Sequence, residues 1–323
     1  MKKLMLAASA ATLAMTLAGG ASAESLKIAF TIHSSPSNTF WQAVKKGFDD
    51  ACGKVQAECQ MIFTQTEGSI EQQAANMAAA IAQKPDALIT SIVDNKAFDE
   101  MIKAARDEGI IVIATNVDDL EGAAGNARQA FIGQGFIPAG YTLGQAMNEL
   151  LPKEGPLKIV VGISAPGQNW SEQRGKGVIT FFEELKASGR DVTITRLDTG
   201  TDLAVVADRV GAYLNANPDT TAYFDTGYWH AAVARVLADR GVPPGKTFLG
   251  GFDLVPEVLQ QMKTGYVQVQ IDQQPYKQGF LPVMQAYLAK NFGLAPSDID
   301  TGQGVVLQGD VDRIMELSTQ GVR

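Results

Sequence analysis

The chain is short of histidine, cysteine and positive charge. Two histidines, His33 and His230, and two cysteines, Cys52 and Cys59, stand among 323 residues. That is too few of the usual ligands for a zinc site, so no metal and no cofactor is expected. Lysine and arginine number 27 against 35 aspartates and glutamates. Phosphate backbones are bound by clustered lysine and arginine, and this balance argues against nucleic acid as a partner. Beyond Ala18 no stretch approaches the roughly 18 uninterrupted apolar residues of a membrane-spanning helix. Two catalytic signatures are also incomplete. The run Gly162-Ile163-Ser164-Ala165-Pro166-Gly167 lacks the spacing of a nucleophile elbow, and Gly133-Gln134-Gly135 continues without the third glycine of a dinucleotide fingerprint. Both read as turns, and no enzymatic activity is expected.

What is present begins at the amino terminus. Met1-Lys2-Lys3, an apolar run from Leu4 to Ala18, then Gly19, Gly20 and Ala21-Ser22-Ala23 make a secretory signal: a basic start, a short apolar core and small residues before the cut. Cleavage is expected after Ala23, and with no cysteine there a lipid anchor is not. The mature protein is expected free in a periplasm, as a monomer. Losing Lys2 and Lys3 takes the formal net charge from -8 to -10, which reads as solubility. In an oxidising compartment Cys52 and Cys59, placed where a helix ends and a strand begins, are positioned for a disulfide; two buried thiols are the alternative.

After Glu24, short β-branched runs alternate with longer amphipathic ones. Strands are expected at Lys27 to Ile32, Met61 to Thr64, Ala87 to Ile92 and Ile110 to Thr115, with helices near Thr39 to Ala51, Ser69 to Gln83 and Asn95 to Glu108. A less regular stretch follows at Asp118 to Gln129. A second series has strands at Leu157 to Ile163, Val192 to Leu197, Thr221 to Phe224 and Thr247 to Gly251. Its helices fall near Ser171 to Ala187, Asp202 to Asn215 and Tyr228 to Arg240. Such alternation implies an α/β fold of parallel sheets with helices on both faces, and its repetition implies two doubly wound lobes. Ligands of open parallel sheets sit beyond the carboxyl ends of the strands. Two facing lobes therefore make a cleft lined by strand-end residues.

The first strand runs into His33-Ser34-Ser35-Pro36-Ser37-Asn38-Thr39-Phe40-Trp41, followed by a helix carrying Gly47. Gln173-Arg174-Gly175-Lys176-Gly177 opens a later helix; Gly250-Gly251-Phe252-Asp253 and Gln270-Ile271-Asp272-Gln273-Gln274-Pro275 follow in order. In these features the chain resembles the ribose-binding family of periplasmic proteins, solute-binding components of ABC transporters, over almost all of its mature length. The resemblance implies a type I clamshell whose lobes are joined by a three-stranded hinge and close on one monosaccharide. Residues 24–133 plus 274–304 would form the N-terminal lobe, and 134–273 plus 305–323 the C-terminal lobe, with crossings near Ile132 to Gln134, Gln273 to Pro275 and Gly304 to Val306. It implies capture of a small neutral sugar or sugar alcohol for a membrane permease. Asn38 would bond a sugar hydroxyl, Phe40 and Trp41 would stack on the ring, Arg174 and Asp253 would give charged hydrogen bonds, and Gln273 would reach in from the hinge.

Those residue types suit the chemistry. A pyranose has apolar C–H faces and a rim of hydroxyls, so it needs flat aromatic surfaces and planar side chains with several donors or acceptors. Plainer roles compete. Phe40, Val44 and Phe48 also share a helical core stripe, Arg174 also fits a solvated first turn, Asp253 also fits a helix cap, and His33 reads as a loop hydrogen-bonder. The sequence departs from the ribose pattern at two places. Asn116-Val117 replaces an acidic-basic pair after the fourth strand, and Gly227-Tyr228, flanked by Asp225 and Trp229, replaces an Asn-Asp. Asn116 and Tyr228 thus join the candidate site. Val117 is expected to leave a ribose hydroxyl unpaired and Gly227 to free volume, which favours a polyol, hexose or ketose. A sugar-sensing transcription regulator would need a DNA-binding element where the signal segment lies. A binder that presents a sugar-like signal to a chemoreceptor is the remaining alternative.

Overall fold

The apolar runs at the centre of each sheet become strands that are buried on both faces. Ala87–Thr90 is buried at every position, as is Ile111–Asn116, the pattern of parallel strands covered by helices above and below. The structure is a computed structural model describing residues 25–302 and 304–323. The expected signal segment 1–23 and its cleavage site lie outside the described residues.

The first series is β1 (Lys27–Thr31), α1 (Phe40–Val55), β2 (Glu58–Ile62), α2 (Ile70–Ala82), β3 (Ala87–Thr90), α3 (Asp99–Asp107), β4 (Ile111–Asn116), α4 (Ala123–Asn126) and β5 (Ala130–Gly133). The second is α5 (Phe136–Asn148), β6 (Leu157–Ile163), α6 (Asn169–Ala187), β7 (Val192–Asp198), α7 (Leu203–Ala216), β8 (Ala222–Asp225), α8 (His230–Asp239), β9 (Phe248–Phe252), α9 (Pro256–Lys263) and β10 (Val269–Asp272). The chain ends with α10 (Pro275–Phe292), β11 (Ile299–Asp300), β12 (Gly304–Leu307) and α11 (Val311–Ser318). One sheet has the order β2-β1-β3-β4-β5-β11 and the other β7-β6-β8-β9-β10-β12. All pairings are parallel except β10 with β12. Two α/β lobes of matching strand order are therefore joined by connecting strands, the type I clamshell. β2 begins at Glu58, three residues before the apolar run suggests, because Glu58-Cys59-Gln60 continues the register against Lys27-Ile28-Ala29 at the sheet edge. A disulfide joins Cys52 at the end of α1 to Cys59 in β2, S–S 2.10 Å.

The chain changes lobes between β5 and α5, between β10 and α10, and between β11 and β12. The helix that follows each of the first two passages docks against a helix of the lobe the chain has just entered: α5 on α6, and α10 on α1. Both contacts are made backbone to backbone through glycines. A Cβ at Gly47 would lie 2.1 Å from the Tyr276 carbonyl oxygen, and one at Gly279 would lie 1.9 Å from that of Val44. In the second lobe a Cβ at Gly140 would lie 2.1 Å from the Arg174 oxygen, and one at Gly177 would lie 2.2 Å from that of Ile137. Small residues thus seat the hinge-borne helices and place α6, with Arg174, at the cleft.

Candidate ligand-binding site

The carboxyl ends of both sheets face each other across one cleft. Its first-lobe wall carries His33, Asn38, Phe40 and Trp41 from the segment after β1, Glu67 after β2, and Asn116 ending β4. The opposite wall carries Phe136 at the start of α5, Trp170 and Arg174 in the first turns of α6, Gly227 to Trp229 between β8 and α8, and Asp253 after β9; Gln273 comes from the hinge. All eight residues singled out from the sequence, Asn38, Phe40, Trp41, Asn116, Arg174, Tyr228, Asp253 and Gln273, meet around this one space. Glu67, Phe136 and Trp170 were missed, although each follows a strand and the strand-end rule points to them too.

Arg174 is only 3% exposed, so it is not a solvated first-turn residue. Its NH1 donates to the Thr226 carbonyl (3.0 Å) and its NH2 to Gln134 Oε1 (3.1 Å). The guanidinium lies 4.2 Å from the ring centroid of Phe252 and 4.9 Å from that of Phe136, a cation over aromatic faces. Its Nε has no protein partner. Burial pulls the guanidinium pKa down to about 10, while the charges of Asp253 and Asp225 pull it up; it remains a cation at neutral pH.

Asp253 does not cap a helix. α9 begins at Pro256 without a side-chain cap, and Asp253 Oδ1 instead accepts from Gln273 Nε2 at 2.5 Å. Burial raises its pKa, and the charge of Arg174 and the Gln273 hydrogen bond lower it. Gln273 Oε1 in turn accepts from Asn116 Nδ2 (3.3 Å) and Gln278 Nε2 (3.0 Å). Asn116 and Asp253 both have positive φ, 65° and 72°. Such backbone is uncommon outside glycine and gathers at sites where the fold over-determines a side chain's direction.

The aromatic residues form a floor and a wall. Trp41 is 2% exposed and packs edge-on against Phe30, Phe40 and His33, forming the floor. Tyr228 stacks on Trp229 (4.5 Å, 20°), which leans on Trp170 (6.1 Å), forming a wall. The space at Gly227 is not free: a Cβ there would lie 2.1 Å from the Trp229 ring. Val117 likewise belongs to the core of the first lobe, 1% exposed. Its carbonyl accepts from Ile92 N–H (2.8 Å), and it is not among the cleft-lining residues. The expected effects of Val117 and Gly227 on ribose therefore have no geometric basis.

The lobes are closed on each other. Tyr228 Oη donates to Asn38 Oδ1 (3.4 Å), Gln168 Nε2 to the Gly68 carbonyl (3.4 Å), and Asn169 Nδ2 to Asn95 Oδ1 (2.6 Å). Behind the cleft, buried His230 places Nε2 3.1 Å from Gln270 Oε1, and Gln270 Nε2 donates to the Asp253 carbonyl (2.9 Å). Burial pushes the His230 pKa down to about 4 from 6.5. Between pH 6.5 and 4 the unfolded chain therefore takes up a proton there that the folded chain refuses, so this contribution to stability is lost as pH falls through that window. A His230→Gln variant lacks the titration. The gap between wild-type and variant thermal midpoints should narrow from pH 7.5 to pH 4.5; a constant gap would contradict the assignment.

The profile of the periplasmic binding protein domain matches residues 28–293. This chain belongs to the periplasmic binding protein family. Its members hold solutes and catalyse no reaction. The periplasmic binding proteins it is similar to include a xylose/arabinose-binding protein of Sulfolobus acidocaldarius, 29% identical over 88% of this chain and 72% of that one. A carbohydrate transporter structure from Acidothermus cellulolyticus in complex with myo-inositol superposes with TM-score 0.79 at 24% identity, over 93% of this chain and all (100%) of that one. A solute-binding protein of Actinobacillus succinogenes with bound D-allose gives TM-score 0.80 at 23% identity, over 89% and 99%. Membership thus stands at the level of the periplasmic binding proteins, broader than the ribose-binding branch. Among the described residues no helix is long and apolar enough to cross a membrane, and no cluster of histidine, cysteine, aspartate or glutamate is arranged to hold a metal.

Proposed function

We propose that this protein captures a neutral monosaccharide or sugar alcohol in the periplasm and hands it to the membrane permease of an ABC transporter. The observation that carries the reading is Arg174, buried between aromatic rings with an unpartnered Nε, in a cleft that it lines together with Asp253 and Gln273. A donor desolvated this far is stabilised by an acceptor, and aromatic faces flanking planar polar groups fit the C–H faces and hydroxyl rim of a sugar. The cleft carries one cation, Arg174, against two carboxylates, Asp253 and Glu67, and burial keeps His33 neutral with a pKa of about 4. It has no surplus positive charge to select a phosphate or carboxylate. The names of the relatives, a xylose/arabinose binder and folds holding myo-inositol or D-allose, support the ligand class.

The test is a thermal-shift screen of the mature protein with D-ribose, D-xylose, L-arabinose, D-allose, D-galactose and myo-inositol, followed by calorimetry. Saturation at a hundred times Kd adds about 2.7 kcal/mol to the folded state, a shift of several degrees. Free protein in solution should have a larger scattering radius than sugar-saturated protein, whose radius should match the closed form described above. If no sugar or polyol shifts the midpoint, the proposal fails.

A further inference from the structure

We infer that His33 and Glu67 form a subsite for one hydroxyl group of the sugar, with His33 as the donor through Nε2–H and Glu67 as the acceptor. The inference rests on the sugar-binding reading above and adds two residues to it. His33 follows β1 and lies beside Glu67 at the cleft.

Its tautomer is set by Ser91. The Ser91 hydroxyl oxygen lies 2.8 Å from His33 Nδ1 and also receives the His33 backbone N–H (3.3 Å) and Gln73 Nε2 (3.1 Å). A hydroxyl has two lone pairs and one proton. The two amide donors take the lone pairs, which leaves the proton to point at Nδ1. Were Nδ1 protonated instead, three donors would converge on that oxygen and its own proton would have no acceptor. Nδ1 is therefore the acceptor, and the neutral ring carries its proton on Nε2. Nε2 has no protein partner, yet it is not among the buried atoms sealed from solvent; the open space beside His33 is the cleft. Burial keeps the ring neutral, so Nε2 is a fixed single donor.

Glu67 is its complement. The carboxylate accepts from Ser34 Oγ, which lies 2.7 Å from Oε2 and 2.9 Å from Oε1, from the Ser35 N–H at Oε2 (2.9 Å) and from Asn38 Nδ2 at Oε1 (2.9 Å). Ser34 has one proton for both oxygens, so three donor protons meet about four lone-pair sites and one site is left for the cleft. A sugar hydroxyl that donates to Glu67 and accepts from His33 satisfies both at once. The pair also fixes the direction of the C–O bond at that carbon, which separates epimers.

Two measurements test this. Nitrogen-resolved NMR of the imidazoles, with two histidines in the chain, should show the Nε2–H form of His33 at pH 7.5 and a mixture of tautomers in Ser91→Ala; a wild-type Nδ1–H form overturns the inference. Calorimetry then uses D-ribose, D-xylose, L-arabinose, D-allose, D-galactose and myo-inositol as probes. For whichever wild-type binds, His33→Phe should weaken binding about tenfold or more, and His33→Gln, which returns an N–H near Nε2, should recover most of the loss. His33→Phe within threefold of wild type, in a variant with an unchanged thermal midpoint, overturns the inference and leaves the sugar-binding reading standing. Failure of wild-type protein to bind every probe overturns that reading and the ligand half of the inference together.

Discussion

Replacing Arg174 with methionine should weaken sugar binding by on the order of a hundredfold. Methionine keeps an unbranched apolar stem between Phe136 and Phe252 but removes the guanidinium of this cleft-lining residue, whose Nε is buried unpartnered while NH1 and NH2 hold Thr226 and Gln134. A hydrogen bond to a charged group contributes about 1.5 to 3 kcal/mol, and truncation leaves the sugar acceptor buried without a partner. The upper part of that range is about a hundredfold in Kd. Arg174→Lys should fall between, because an ammonium keeps the charge and loses the planar fork that reaches three partners. Calorimetry with the best-bound sugar of the panel decides it, with thermal midpoints to confirm folding. A methionine variant that binds within threefold of wild type would return Arg174 to a structural role, bracing Gln134 and Thr226 at the hinge.

The second large effect is on stability and comes from the hinge-borne helices. Gly279→Ala should destabilise the protein by about 3 kcal/mol, because the new Cβ would lie 1.9 Å from the Val44 backbone oxygen and a helix backbone cannot step aside as a flexible side chain can. Gly53→Ala, in α1, is the matched control. Nothing lies within 4 Å of its Cβ position, and alanine is favoured over glycine in a helix by about 0.8 to 1 kcal/mol, so this variant should be more stable than wild type. Denaturant titration of both reads the two signs directly. Equal effects from the two substitutions would show that α1 and α10 do not depend on the glycine contact.

The alternation of β-branched runs with amphipathic ones is enough to require parallel sheets, because strands apolar on both faces must be covered by helices on both faces. The repetition of that series is enough to require two lobes. Placing the site needed two further steps: strand ends face the ligand, and the family resemblance picked out Asn38, Phe40, Trp41, Arg174, Asp253 and Gln273 among them, with Asn116 and Tyr228 added where the chain departs from the ribose pattern, from positions more than 200 residues apart. Four helices, α4, α5, α10 and α11, were not legible, and for two of them the composition shows why. α5 contains Pro138, Gly140 and Gly144, and α10 contains Gly279 and Pro282, residues that read as turn punctuation. Pro138 is tolerated because the first turn of a helix leaves its N–H groups unpaired, and Gly140 and Gly279 are there for the helix–helix approach, a property of the pair that neither segment shows alone.

The cleft divides in the same way. The kinds of side chain a sugar needs, aromatic faces and planar polar groups, are properties of composition and order along the chain and could be read from it. Which of two adjacent residues faces the cleft is not. Asn116 turns into the hinge network and Val117 into the core because the backbone adopts positive φ at Asn116. The volume apparently released at Gly227 is taken up by Trp229. The donor and acceptor state of His33 depends on Ser91 and Gln73, some sixty and forty residues along the chain. A sequence specifies which groups exist and in what order, but hydrogen-bond partners and the use of space are set by residues distant in the chain, and these are determined only when the sheets and the hinge bring them into contact.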